Sequence, residues 1–308
     1  VRRVERIESQ LNNPRPFAMQ FPKLLFGLLL GGMITTSLRA EVATNPPLCV
    51  MTYNLRYASP TGPNAWPGRR PLVREVIQSV QPDVIGTQEG LHAQLLDVAA
   101  DLPDYGWVGV GRNDGKTNSE FMAVFYRKAR LEALSTNHFW LSDTPEIPGS
   151  TNWGNTNRRM VTWLKFRDRG TGGNFYLYNT HFDHQVQLAR EKSAELVRQR
   201  VVALETKLPV LLVGDFNAAA EANRAYEILT ADKFFEDAWQ TAAKRTGDGI
   251  ATFNGFRPGI PQGPRIDWIL TRGGVTVGRA ETVTFSRAGQ FPSDHFPVVA
   301  WLHLPRLH

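Results

Sequence analysis

Apolar and polar positions along this chain follow two periods, and the places where the period changes divide it into elements. Leu48-Cys49-Val50-Met51-Thr52-Tyr53 is a short, nearly continuous apolar run, which predicts a buried strand ending at Asn54. From Arg69 to Val80 the apolar residues Leu72, Val73, Val76, Ile77 and Val80 fall at helical spacing, and Pro82 stops the helix. Asp83 to Gln88 reads as a second short strand that delivers Glu89 at its end. Leu91 to Leu102 is again helical, with Pro103 as its stop.

The middle of the chain predicts strands without helices between them, over Glu120 to Tyr126, Leu131 to Leu141, Met160 to Phe166 and Phe175 to Asn179, joined by loops rich in Gly, Pro and Asn. An amphipathic helix follows over Gln187 to Glu205, with Ala194, Val197 and Val201 among its apolar positions. Pro209 to Val213 is a buried strand with Asp215, Phe216 and Asn217 just beyond it. A helix over Glu221 to Ala231 and strands over Arg265 to Thr271, Val275 to Phe285 and Pro297 to Leu304 complete the pattern. The expected architecture is one α/β domain over residues 41–308, opening with a linker to Pro47, in which two mixed sheets pack together with helices outside. Periodicity does not give the order of strand pairing.

Composition adds three points. With 308 residues, 42% of them hydrophobic, the chain can bury a large core and is not a disordered one. Met19 to Ala40 carries Lys23, an apolar run from Leu24 to Ile34 and then small and polar residues, the architecture of a signal peptide cleaved near Ala40. About 11 apolar residues fall well short of the roughly 20 that span a bilayer, so no lasting membrane insertion is expected after cleavage. Residues 1–18 read as an upstream extension. The first 40 residues hold six of the 35 Lys/Arg and two of the 29 Asp/Glu, which leaves about +2 of the formal +6 on the rest of the chain. The basic balance therefore says little about nucleic acid. Cys49 is the one cysteine, which excludes an intramolecular disulfide, and its apolar setting predicts a buried thiol.

The chemistry lies at the ends of the apolar runs. Asn54, Glu89, His181, Asp215, Asn217, Asp267, Asp294 and His295 all fall at or just beyond such ends. Any one Asp or Asn there is ordinarily a turn residue. Eight positions rich in carboxylate, amide and imidazole point instead to a site at the strand ends of an α/β fold, with the hard oxygen donors that suit Mg²⁺ and phosphate.

Six segments carry these residues: Met51-Thr52-Tyr53-Asn54-Leu55-Arg56, Pro82 to Glu89, Asn179-Thr180-His181-Phe182-Asp183-His184, Gly214-Asp215-Phe216-Asn217, Arg265-Ile266-Asp267-Trp268 and Ser293-Asp294-His295-Phe296-Pro297. In this order they resemble the motifs of the endonuclease/exonuclease/phosphatase superfamily, and Phe139 to Pro145, Arg159 to Trp163 and Ala189-Arg190 look like a small secreted bacterial branch of metal-dependent hydrolases within it. The resemblance implies a four-layer α/β sandwich and a monomeric, Mg²⁺-dependent phosphoesterase, most simply a phosphodiesterase, with Mn²⁺ as a substitute. It implies Glu89, Asn54 and Asp294 as metal residues, with Asn54 offering its amide oxygen or acting through a water. Asp215 would activate the attacking water, and Asn217, two places on in an extended chain, would hold a phosphoryl oxygen. His295 would pair with Asp267 and act as a base or a cationic clamp, and His181 would donate a hydrogen bond to phosphate or to the leaving oxygen. Arg159 is the expected substrate contact, and Arg190 the more structural of the two arginines.

Three other functions fit the residues less well. A secreted nonspecific nuclease, with nucleic acid as the partner, needs a basic groove, and no Lys/Arg run supplies one. A lipid phosphodiesterase needs an exposed apolar hairpin, for which Gly255 to Gly263 is the nearest and is short. A phosphate-binding module without catalysis would have shed some of the eight residues. Arg56 stands where abasic-site nucleases carry an acid, which argues against DNA repair. The leader reading has a direct consequence: N-terminal sequencing of exported protein should begin near Glu41, and a start before Lys23 would refute it.

Overall fold

The computed structural model describes residues 46–305. The readings of residues 1–18 as an extension and 19–40 as a signal peptide lie outside the described residues. In chain order the elements are β1 (Leu48–Asn54), α1 (Trp66–Val80), β2 (Val84–Gln88), β3 (Gly90–Leu91), α2 (His92–Asp101), β4 (Tyr105–Val108), β5 (Glu120–Phe121), β6 (Val124–Arg127), β7 (Leu131–Trp140), β8 (Met160–Asp168), β9 (Asn174–His181), α3 (Gln187–Val202), β10 (Val210–Asp215), α4 (Arg224–Thr230), β11 (Glu236–Asp237), α5 (Ala238–Thr241), β12 (Lys244–Thr246), β13 (Asp267–Arg272), β14 (Thr276–Thr282) and β15 (Val298–His303).

Two large mixed sheets result. One runs β12-β14-β15-β1-β2-β6-β4, the other β11-β13-β10-β9-β8-β7. Each is built around a parallel pair, β1 with β2 and β9 with β10, flanked by antiparallel neighbours. A parallel pair requires a crossover, and α1 and α3 supply it, one on the outside of each sheet. α1 begins at Trp66, three residues before the first one its spacing predicts, because Pro67 is tolerated in a first helical turn.

Strand alternation sorts the core into three layers. Leu48, Val50, Val84, Leu177, Leu211, Val213, Ile269 and Val298 pack between the sheets. Cys49, Met51, Tyr53 and Ile85 face α1 and α2, while Tyr178, Val210, Leu212 and Leu270 face α3 and α4. The order is thus helix, sheet, sheet, helix, with each buried Val, Leu or Ile contributing about 1.5–3 kcal/mol. Cys49 is buried, and burial pushes its thiol up to about 12. Trp66, Trp153 and Trp239 are buried. No helix among the described residues is long and apolar enough to cross a membrane.

The single strand expected over 120–126 is two elements. β5 leaves the sheet to pair with β3, and only β6 joins β2. β4, β11, α5 and β12 were not legible in the sequence.

The inter-sheet layer turns polar toward one end. Gln88 donates from Nε2 to Asn179 Oδ1 at 2.8 Å across the sheets, and Asn179 Nδ2 donates to Thr87 O at 2.9 Å and Ala123 O at 3.0 Å. Gly86 makes this approach possible, since a Cβ there would meet Val213 Cγ2 at 2.5 Å and Asn179 Oδ1 at 2.7 Å. Gly86→Ala should therefore cost about 1–3 kcal/mol through overpacking, read by urea denaturation; a neutral result would mean that the sheets part easily here.

Candidate active site

The carboxyl ends of both parallel pairs meet at the polar end of the interface. β1 ends at Asn54, Glu89 follows β2, β9 ends at His181 and β10 at Asp215. The antiparallel strands start from the same end, β13 at Asp267 opposite Asp215, and β15 just after Asp294 and His295. Alternation decides where the side chains point. Asp215 follows Leu211 and Val213, His181 follows Phe175 and Leu177, and Asp267 precedes Ile269, so all three share the inter-sheet face. Alternation after Gln88 would aim Glu89 away from that face. A left-handed backbone at Glu89 (φ 61°) turns it back, at a cost of about 1–2 kcal/mol for a non-glycine residue.

Asn217 reaches the cleft by a similar departure. The expected extended chain from Asp215 to Asn217 does not occur. Phe216 is buried against Trp268 and Phe182, with ring centroids 4.2 and 4.9 Å away, and Asn217 takes φ 48°, a value Asn tolerates. Its Nδ2 then donates to Phe182 O at 3.1 Å and to His181 Nε2 at 3.0 Å.

One hydrogen-bonded network joins these groups. Asn54 Nδ2 donates to Glu89 Oε1 at 3.1 Å and to Asp215 Oδ2 at 3.0 Å. Asn54 Oδ1 accepts from the Arg56 N–H at 2.9 Å, and its amide nitrogen faces the carboxylates. His295 Nδ1 lies 3.0 Å from Asp267 Oδ2, and its Nε2 is 3.7 Å from Asp215 Oδ2. Arg56 Nη1 sits 3.9 Å from Glu89 Oε2 and 3.5 Å from Asp294 Oδ2.

Burial and charge set the protonation states. Burial opposes a charged His295, but Asp267 and then Asp215 outweigh it and raise the imidazole to about 10. Burial first and Asp267 second push the Asp215 carboxyl up, against the pull of His295. Burial also works against ionised Glu89, yet His295, the Asn54 amide and Arg56 hold it below the usual range. His181 goes the other way: burial, then Arg159 and Arg112, drive it well below 6.5. The ring is neutral, and its Nε2 lies 3.0 Å from Asn217 Nδ2 and 3.4 Å from Asp215 Oδ2.

Arg159 lines the same cleft, a cavity of about 350 Å³ that also takes in Tyr57, Phe253, His184, Glu120 and Arg112. Arg190 does not line it and ties its helix to Asp183 O and Gln187. The sequence missed two arginines. Arg112 comes from a loop without periodicity, and Arg69, at the start of α1, is fully buried beneath the cleft.

The donor set fits a hard divalent cation. Glu89 and Asp294 bring carboxylate oxygens to one guanidinium nitrogen, and Asp215, Asp267 and His295 place ligand atoms within 4.8 Å of one another. Of these, His295 Nδ1 is already committed to Asp267. Four carboxylates, Glu89, Asp215, Asp267 and Asp294, gather at this end of the site, the kind of hard oxygen donors that suit a divalent cation.

Comparison with known proteins agrees with this picture. A model of the endonuclease/exonuclease/phosphatase family matches residues 51–295. An endonuclease/exonuclease/phosphatase from Bacteroides vulgatus is 38% identical, with a TM-score of 0.79 over 84% of this chain and 99% of that one. A mannosyl-6-phosphatase of Bacteroides thetaiotaomicron is 34% identical, with a TM-score of 0.78 over 83% and 99%. An uncharacterized protein of Acanthamoeba polyphaga mimivirus is 30% identical over 162 residues, 49% of this chain and 59% of that relative's length.

The neutral His181 makes stability depend on pH. Its folded pKa lies below its unfolded value of about 6.5, so the unfolded chain binds the extra proton and stability falls as pH drops through that value. Between pH 7.5 and 5.5 the stability gap between wild type and His181→Gln should narrow by about 1.4 kcal/mol in urea titrations. A gap constant with pH would show that His181 titrates normally.

Proposed function

The chain belongs to the endonuclease/exonuclease/phosphatase family, whose members act on phosphate esters, and from that premise we propose that it is a metal-dependent phosphoesterase that cleaves a small phosphate ester by in-line attack of water. The observation that carries this reading is Asp215, a carboxylate held by Asn54 on one side with charged His295 on the other, facing an open cleft.

Asp215 takes the proton of the attacking water. Its raised pKa brings it closer to neutrality and makes it a better base than a surface aspartate. His295, kept cationic by Asp267 and Asp215, stabilises the charge that builds on the phosphoryl oxygens, which is the clamp role rather than the base role. His181 fixes Asn217, and Asn54 orients Glu89 and Asp215 together. Glu89 and Asp294 are the residues that would hold Mg²⁺ or Mn²⁺, which when bound supplies positive charge to the phosphoryl group and the leaving oxygen.

The cavity, about 350 Å³, lies at the small end of the roughly 300–1,000 Å³ typical of small-molecule sites. Together with the mannosyl-6-phosphatase likeness, this makes a hexose phosphate the first substrate to try. The leader-like segment 19–40 supports work outside the cytoplasm, as a further part of the proposal.

The test is a screen with Mg²⁺ or Mn²⁺ against hexose phosphates, p-nitrophenyl phosphate, its bis ester and duplex DNA. On the best substrate, Asp215→Asn and His295→Ala should each lower kcat by about 10²–10⁴ with little change in KM. Glu89→Gln should raise the metal concentration needed for half activity, with partial recovery at excess metal. Turnover near wild type in either the Asp215 or the His295 variant, with an unchanged melt, would overturn the assignment.

A further inference from the structure

The lining of the cleft is charged or polar except at one corner. Among its side chains Tyr57, Phe253 and Ile266 bring the apolar surface. Tyr57 already has a partner, the Arg56 guanidinium, which lies over its ring 4.4 Å from the centroid. Phe253 has no such cover. It is 46% exposed, and its one aromatic neighbour among the described residues is His295, edge-to-face with ring centroids 5.1 Å apart. Ile266, half-buried, comes from the adjoining segment.

Scattered apolar side chains on an open surface need no explanation. Phe253 differs in two respects: it sits in a concave site, and its backbone is strapped to both segments that carry the chemistry. Thr252 Oγ1 accepts from the N–H groups of Ile266 at 2.9 Å and Asp267 at 3.2 Å, and Thr252 O accepts from the Phe296 N–H at 2.7 Å. On the other side of Phe253, Asp294 O accepts from the N–H groups of Asn254 at 2.7 Å and Gly255 at 3.1 Å, while Asn254 Nδ2 donates to Ser293 O at 3.1 Å. Gly255 keeps space beside the ring, since a Cβ there would come within 3.3 Å of Phe253 Cε1. The ring therefore rises from a backbone fixed relative to His295 and Asp267.

We propose that Phe253, with Ile266 beside it, is the specificity-determining platform of the site and takes the apolar C–H face of a pyranose ring whose phosphate lies at Asp215 and His295. The proposal rests on the phosphoesterase reading and assigns the residue that reads the substrate beyond its phosphate. A phosphoryl group gains nothing from such a surface, because its oxygens need N–H donors or a cation. A pyranose has one apolar face and a rim of hydroxyl groups. That suits a single apolar corner in a lining otherwise made of carboxylate, amide, guanidinium and imidazole groups. A nucleobase has two aromatic faces to cover, and the corner offers one ring, the other being covered by Arg56. An open-chain polyol has no flat face to lay down.

The experiment compares the full chain with Phe253→Ala, Phe253→Leu and Phe253→Tyr, in Mg²⁺ or Mn²⁺. The esters are glucose 6-phosphate, mannose 6-phosphate, the open-chain glycerol 3-phosphate and adenosine 5′-monophosphate. Wild type should have its highest kcat/KM on a hexose phosphate. Phe253→Ala should lower the hexose-to-glycerol ratio of kcat/KM by about 5–30-fold, mainly through KM. Phe253→Leu, apolar but not flat, should lower it as well, and Phe253→Tyr should keep it within about twofold. Calorimetry on the Asp215→Asn protein, with and without Phe253→Ala, reads binding apart from turnover, and hexose phosphate affinity should fall by the same factor. A ratio unchanged in Phe253→Ala, a wild type that favours glycerol 3-phosphate or adenosine 5′-monophosphate, or no binding of any of these esters overturns the proposal. Should Phe253→Ala fail to fold, Phe253→Leu against Phe253→Tyr decides it. Hexose phosphate affinity lost with Phe253, in a protein whose wild type hydrolyses none of the esters, would support the platform and count against the phosphoesterase reading.

Discussion

Five carbonyl oxygens converge on the guanidinium of Arg69. Nε donates to Asn64 O at 2.8 Å, Nη1 to Leu55 O at 2.8 Å and Pro292 O at 2.9 Å, and Nη2 to Arg56 O at 3.0 Å and Tyr57 O at 3.1 Å. All five donors of the side chain are spent, on backbone alone. Leu55 to Tyr57 is the exit of β1, and Pro292 opens the turn that carries Ser293, Asp294 and His295. One buried cation therefore fixes the distance between the loop bearing Arg56 and the loop bearing Asp294 and His295. A buried charge survives only when hydrogen bonds replace its water, and here the backbone that needs positioning supplies them. The Ser293 hydroxyl adds a second tie, donating to Asn54 O at 2.6 Å.

From that tie the electrostatics of the cleft follow. The carboxylates are crowded because four strand ends and two loops deliver them to one place, and the strands cannot spread without breaking the Gln88–Asn179 contact between the sheets. Crowding raises Asp215 and Asp294, burial being the first cause for each, and the same carboxylates make His295 an unusually strong base. Burial alone favours a neutral imidazole, and it is the first cause that drives His181 well below its ordinary value. The two imidazoles differ in charge, His295 cationic and His181 neutral, because burial is outweighed by acids at His295 and reinforced by Arg159 and Arg112 at His181.

Much of this was legible in the residues because strand ends are written in two signals at once, a stop in the apolar run and an unusual polar residue just past it. Asn54, Glu89, His181, Asp215, Asp267, Asp294 and His295 carry both signals, and the structure brings them to one cleft. Asn217 was placed correctly beside Asp215 but for the wrong geometric reason, since the anchor is Phe216 in its aromatic stack and not an extended chain. β4, β11 and β12 were missed because short edge strands need little apolar patterning; β12, Lys244–Thr246, is exposed throughout. Arg69 and Arg112 left no local signal at all. An arginine in a helix start or a loop reads as solvent-facing, and only the tertiary fold buries it.

The cleft is therefore asymmetric in a way that composition conceals. The cleft gathers Glu89, Asp215 and Asp294 together with Arg56, Arg112 and Arg159, with Arg56 beside Glu89 and Asp294 and Arg112 beside Glu120. An acidic wall alone would repel a phosphate, and a basic wall alone would bind it without activating water. Under the proposed function the two kinds of residue around the cavity of about 350 Å³ divide the work: the acids gather positive charge and a water, and the arginines favour the anion. The net charge of about +2 for residues 41–308 sums charges over the whole domain and so hides such local clusters. A near-neutral count is for that reason no argument against a strongly polarised site.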